Sequence, residues 1–328
     1  MTVKQIFALG VKLGIESDPR GKKGVERYLS RIKREYGEMK PEDQKYFDHE
    51  RLSNPYPDSA VHVDDGGTEV KRVLAGIDIG PGEILLASQL NERGKHIDLV
   101  IAHHPAGKAL ARLHEVMDMA VDFFVSLGLP VHIAEKIMED RVREVGRGVH
   151  MINHYQTVNI AAALGINFMN THTITDNLVH RFIVEHVTER QPETLGDLMS
   201  FLLEIPEYQE AKHQQAGPKI YSGSPHHRVG KILVEMTGGT EPSNKMYEYF
   251  SRSGISTIVG MHMREQSHEK SAEHQLNTVM AGHISSDSIG MNLFLDELEK
   301  RGIEIVPCGG LIRVSRNKKK KRVIGNEQ

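Results

Sequence analysis

Nineteen histidines and 44 acidic side chains stand beside a single cysteine in this 328-residue chain, so its chemistry must come from imidazoles and carboxylates rather than thiols. Spacing picks out three polar sets. DLVIAHHP ends in His103-His104, INFMNTHTITD carries His172 and Asp176, and NTVMAGHISSD carries His283 and Asp287. Each set follows an apolar run that reads as a buried strand, and ligands of open α/β sheets collect at the carboxyl ends of strands. Adjacent imidazoles at a strand end can serve two neighbouring metals where the backbone turns, and Pro105 marks that turn. His-x-x-x-Asp at a strand-to-helix junction puts imidazole on the strand end and carboxylate on the first helical turn. Such donors suit divalent Zn, Fe, Mn, Co or Ni. For Asp176 and Asp287 a second role is open, because an acid at a helix N-cap or first turn stabilises the helix without any metal. Capping alone leaves the His four residues earlier, in both copies, without a reason.

The elements around these residues predict an α/β fold of two related lobes with mixed or parallel sheets. KRVLAGIDI reads as a strand, ILLASQLNERG as a helix and IDLVIA as a strand. A long helix follows, with Leu110, Leu113, Met117, Val121 and Phe124 on one face. The second half repeats this order with KILVEMTGGTE, NKMYEYFSRSG and ISTIVGMHM. Val73 to Ile232 and His103 to His262 are both 159 positions apart, and the two His-x-x-x-Asp segments echo each other at a different offset. Residues 1–60 read as a charged helical extension, with Val25, Tyr28, Leu29, Ile32 and Tyr36 on one face and SNPYPDS as a closing turn. Residues 61–190 are assigned to the first lobe, 191–315 to the second, and 316–328 to a basic flexible tail. The polar stretches ERQPETLG and HQQAGPKIYSGSP mark the passage between lobes.

DLVIAHHP, HTITD and GHISSD together resemble the signatures of the dinuclear-metal proteins named after NGG-interacting factor three, often labelled type 2 GTP cyclohydrolase I. The resemblance spans roughly residues 65–315. It implies two metals held by His103, His104, Asp176, His283 and Asp287, with His172 a pocket residue. It also implies paired α/β lobes facing each other across the metal cleft and a ring-shaped homo-hexamer. The family usually has Glu where this chain has Asp287, and VHVDDGGTEVKR stands in place of its early Asp-Asn motif. The expected function is metal-dependent hydrolysis of a nucleotide or a related phosphorylated or cyclic amide compound, with GTP ring opening suggested by the family label. A non-enzymatic metal-binding scaffold is the alternative.

Other signals carry less. His150 and His154 in HMINH have metal spacing but lack the Glu of HExxH. His226-His227 sit in a loop. Among His262, His268 and His274, which follow the second-lobe strand, His268 is taken as a catalytic acid-base group beside His172. MTGGTEPS and DIGPGE are glycine-bearing loops that read as tight turns or as phosphate cradles. The seven positive charges of RVSRNKKKKR favour a solvated tail over a nucleic-acid site, since the whole chain has net charge −3. Cys308 alone excludes an internal disulfide and any CxxC site. No run has the length of a membrane span and no signal peptide is evident, so a cytoplasmic location is expected.

Overall fold

Two sheets built to one plan carry the apolar runs. The computed structural model describes residues 1–317; the five basic residues 318–322 of the expected tail lie outside the described residues. In chain order the strands are β1 (Ser59–Val63), β2 (Arg72–Gly76), β3 (Leu99–Ala102), β4 (Phe168–Thr171), β5 (Lys219–Ser222), β6 (Lys231–Glu235), β7 (Ile255–Gly260), β8 (Asn277–Met280) and β9 (Glu304–Cys308). The first sheet has the order β1-β4-β3-β2-β9 and the second β5-β8-β7-β6. In each, the leading edge strand is antiparallel to its neighbour and the other pairings are parallel. Val73, Leu74, Leu99, Val100, Ile101, Phe168 and Met169 are fully buried. Unbroken apolar runs of this kind are what parallel strands covered on both faces require.

The expected repeat is present. The unit β2, helix Pro81–Glu92, β3 has its counterpart in β6, helix Met246–Arg252, β7. β4 and β8 each run directly into a long helix that begins at a histidine, His172–Arg190 and His283–Lys300. The change of offset comes from the first lobe, which inserts helices between β3 and β4 where the second has only Glu265–Glu273. The long helix expected to carry Leu110 to Phe124 is broken into Gly107–Ala111, a 3-10 turn Leu113–Asp118 and Met119–Ser126, because Arg112 leaves helical backbone at φ −109°, ψ 11°.

Helices His172–Arg190 and His283–Lys300 pack against each other between the sheets. Helix Val3–Glu16 lies on them, held by a Thr2–Gln5 capping box. Its Val3, Ile6 and Phe7 share one core with Tyr56, Ile174, Met291 and Phe294, so the start of the charged extension is integral to the fold. Gly14 permits this approach, since a Cβ there would stand 3.2 Å from the Ile174 backbone.

One assignment changes. Residues 304–308, read as part of the second lobe, form β9 and pair in parallel with β2 of the first sheet. The chain therefore crosses back after helix His283–Lys300, and Ile77 and Asp78 then donate backbone hydrogen bonds to the Gly309 carbonyl. Among the described residues no helix is long and apolar enough to cross a membrane.

Candidate metal centre

The ends of β3, β4 and β8 deliver five side chains to one cleft between the lobes. His103 and His104 follow β3 directly. Asp176 and Asp287 are each the fifth residue of their helix, one turn inside a start at His172 or His283. Neither acid is an N-cap; those positions belong to Thr171 and Gly282. The capping account of these carboxylates is therefore not the geometry found.

The distances are short enough for these side chains to share a metal ion. His103 Nε2 stands 3.4 Å from Asp176 Oδ1 and 3.5 Å from Asp287 Oδ1. His104 Nε2 and His283 Nε2 each stand 3.4 Å from Asp287 Oδ2. Two ligands on a tetrahedral ion with arms of about 2.1 Å are separated by roughly 3.4 Å. Asp287 thus presents one oxygen to the His103–Asp176 side and the other to the His104–His283 side. Although shorter than the family's usual Glu, its side chain reaches both.

Asp176 Oδ1 and both Asp287 oxygens are buried and accept no hydrogen bond from the described residues. Buried carboxylate oxygens without donors are costly and rare, and a cation is the partner this donor set fits. His103–Asp176–Asp287 and His104–His283–Asp287 each form a group able to hold a metal ion; His103–His104–His172 forms a third.

Surrounding groups fix the imidazoles. His103 Nδ1 pairs with Thr175 Oγ1 at 2.9 Å, and His104 Nδ1 with Asp78 Oδ1 at 2.7 Å. Tying up one ring nitrogen aims the other at the cleft. His172 Nδ1 pairs with the fully buried Asp58 at 2.8 Å, which also accepts from Thr173 Oγ1 at 2.6 Å. Across the cleft, His262 Nδ1 pairs with Glu241 at 3.0 Å and packs edge-on against His283.

The electrostatics follow from burial and these neighbours. Burial opposes ionisation of Asp287, yet His103, His104 and His283 hold its carboxyl well below the usual range. Burial pushes Asp176 well above that range; His172 counters this, while Asp287 and Asp58 add to it. Burial takes His103 down to about 4 against the pull of Asp287. For His104 burial also depresses the pKa, but Asp287 and Asp78 outweigh it and lift the imidazole to about 9. Glu235, at the end of β6, is raised by burial to about 7, with His262 pulling down and Glu241 pushing up.

Several sequence expectations lie elsewhere. His268 sits on helix Glu265–Glu273 against Tyr221 and does not line the cleft, whereas His262 does. His154 Nε2 pairs with the Val149 carbonyl beyond the end of helix Val131–His150, so HMINH does not present two imidazoles from one helix. His226-His227 form an exposed turn. DIGPGE is a turn into helix Pro81–Glu92, with Glu83 accepting from the Gly80 N–H. Arg313 and Arg316, at the start of the basic run, are ion-paired to Asp296 and Glu207. The supporting acids Asp58 and Asp78 were concealed inside segments whose composition reads as turns. Asp58 lies just ahead of β1, upstream of VHVDDGGTEVKR.

Two sheets of one topology meeting at a His/Asp cluster define a two-lobed α/β protein with a candidate metal centre between its halves. The solved NIF3 superfamily protein from Sphaerobacter thermophilus is similar to this chain at TM-score 0.71 and 31% identity, over 78% of this chain and 92% of that one. The chain belongs to the NIF3 superfamily. Reduced HcgD from Methanocaldococcus jannaschii (TM-score 0.48, 16% identity, 81% and 94% covered) and TTHA1606 from Thermus thermophilus (0.46, 16%, 80% and 92%) are also similar in structure. No family model and no curated protein matches the chain.

Proposed function

We propose that this protein is a hydrolase using two divalent ions; His103, Asp176 and Asp287 would hold one, and His104, His283 and Asp287 the other. The observation that carries this reading is Asp287. It is a buried carboxylate whose oxygens accept no hydrogen bond from the described residues, one 3.5 Å from His103 Nε2 and the other 3.4 Å from the Nε2 atoms of His104 and His283. Zn, Fe, Mn, Co and Ni all suit imidazole and carboxylate donors. Bound there, divalent ions supply Lewis acidity and bring the pKa of a coordinated water from 15.7 towards ~7.

The chain's own groups supply the remainder. Thr175 and Asp78 set the tautomers of His103 and His104. His172 and His262 each have Nδ1 committed to a carboxylate, which leaves Nε2 to hold or pass a proton. Glu235, with a pKa near 7, lines the same cleft and can take or give a proton at neutral pH. The cleft is small, about 50 Å³ and open to one side, which suits the reacting group of a substrate more than the whole of it. This fits a nucleotide or a related phosphorylated or cyclic amide compound; GTP ring opening is one candidate. Assembly into a ring-shaped homo-hexamer belongs to the same proposal and is tested by light scattering.

The test is metal content and turnover on one preparation. Two ions per chain, with release of product from a panel of nucleotides and cyclic amides that stops on chelation, is the expected result. Two bound ions with no turnover across the panel would favour the metal-binding scaffold, which the narrow cleft also permits. A chain that takes up no metal overturns both readings.

A further inference from the structure

The two lobes differ at one pair of corresponding loops, and the difference lies on the wall of the metal cleft. Residues 77–80 after β2 and 236–239 after β6 are related by the 159-residue repeat. In the first lobe the loop is closed. β9 flanks β2, the Gly309 carbonyl accepts from the Ile77 and Asp78 N–H groups, and Glu83 accepts from Gly80. In the second lobe no strand among the described residues pairs beyond β6, which is the sheet edge. From Thr237 to Glu241 no backbone N–H donates a hydrogen bond to any described residue. Backbone donors left unpaired beside a cavity are free to bind an acceptor there.

The loop's shape is fixed and its surroundings suit an anion. Gly238 and Gly239 have φ of +103° and +86°, consecutive left-handed values that side chains resist. From behind, the loop is backed by the first lobe's inserted 3-10 turn, since a Cβ on Gly239 would collide with Val116 and crowd the Leu113 carbonyl. Thr237 is tethered through its hydroxyl, which donates to Asn177 Oδ1 at 2.6 Å, one residue after Asp176. Thr237, Gly239, Thr240 and Glu241 line the cleft that His103, Asp176 and Asp287 also line. Glu241 does not oppose an anion strongly. Its carboxylate is only 3% exposed and accepts from His262, Ser267 and both the backbone and side chain of Arg264. Glu235 is the remaining acid on this wall, and burial favours its neutral form. Successive backbone N–H groups around left-handed glycines form anion-binding concavities.

We infer that Thr237–Glu241 is the subsite for the phosphate group of a phosphorylated small-molecule substrate, holding it against the metal centre. This rests on the hydrolase reading and narrows its substrate class to compounds bearing phosphate, setting aside cyclic amides without one.

The test uses the full chain loaded with metal, titrated with inorganic phosphate by calorimetry and ³¹P NMR, with metal content measured on every sample. In Gly238→Ala the added carbon meets nothing closer than Ala120 and Met119 at 3.9 Å, so it perturbs the loop through backbone conformation alone. Thr240→Val removes a hydroxyl while keeping the shape, and serves if the first variant folds poorly. The expected result is binding of inorganic phosphate weakened at least tenfold in Gly238→Ala and several-fold in Thr240→Val, at unchanged metal content. Equal affinity in wild type and both variants would place phosphate on the metals alone and overturn the subsite, as would no phosphate binding by wild type. If the chain takes up no metal, the hydrolase reading fails by that measurement. The same titration on the metal-free chain then decides the loop by the same comparison of variants.

Discussion

Gly290 lies against the carbonyl of Thr175, so close that a Cβ on Gly290 would fall inside the separation real side chains keep from backbone. This is the crossing point of the two central helices, three residues after Asp287 and one before Asp176. Thr175 also holds His103 through its hydroxyl. The spacing of the candidate ligands therefore depends on a missing methyl group.

Gly290→Ala should push the helices apart. Overpacking of this kind costs about 1–3 kcal/mol, and the strain passes directly to Thr175, His103 and Asp176. Thermal unfolding should come at lower temperature and metal should bind more weakly. A variant with wild-type melting temperature and wild-type metal content would show that the crossing distance does not set the centre.

Asp287→Asn keeps the volume and removes the charge shared by the two proposed ions. At least one ion per chain should be lost, and any hydrolytic turnover with it, while circular dichroism shows the fold intact. Full metal occupancy in this variant would count decisively against a bridging role.

Metal uptake should release protons. In the metal-free protein burial depresses the pKa of His104, but Asp287 and Asp78 lift it to about 9. At pH 7 the imidazole is therefore charged, and a metal must displace its proton. Apparent affinity should rise with pH up to about 9 and then flatten. Calorimetry in buffers of different ionisation enthalpy reads the released protons; identical heats in all buffers would contradict the assignment.

Glu235 gives a pH effect on stability with a definite sign. Its pKa is about 7 in the folded chain, against an ordinary 4.5. The folded state thus binds the extra proton between those values, and stability falls as pH rises through that window. In metal-free protein Glu235→Gln should remove this loss, so its advantage over wild type is greater at pH 8 than at pH 4. Melting curves at the two values decide it, and a pH-independent difference would argue against a buried, raised carboxyl.

The convergence of His103, His104, Asp176, His283 and Asp287 was legible in sequence because strand-end histidines and the His-x-x-x-Asp repeat are local patterns. Strands such as β2 and β3 were legible as apolar runs, and the 159-residue echo anticipated their counterparts. The supporting acids were not, since Asp58 meets His172 across 114 positions of chain and its own segment spells only a turn. The preference for His268 over His262 is instructive. His262 stands at the repeat position of His103, two residues past the end of β7, whereas His268 is carried away on the following helix. The placement of β9 depends on a pairing between residues more than 200 positions apart, which no local pattern encodes.

The return of β9 to the first sheet has a consequence for how the protein is made. All four strands of the second sheet lie between residues 219 and 280, so that sheet can assemble as soon as this segment leaves the ribosome. The first sheet, though begun earlier in synthesis, waits with one flank of β2 bare until residue 308 has emerged. Vectorial synthesis therefore delivers all strands of the later sheet before the last strand of the earlier one, and a nascent chain stalled before β9 would present an uncovered strand edge to chaperones.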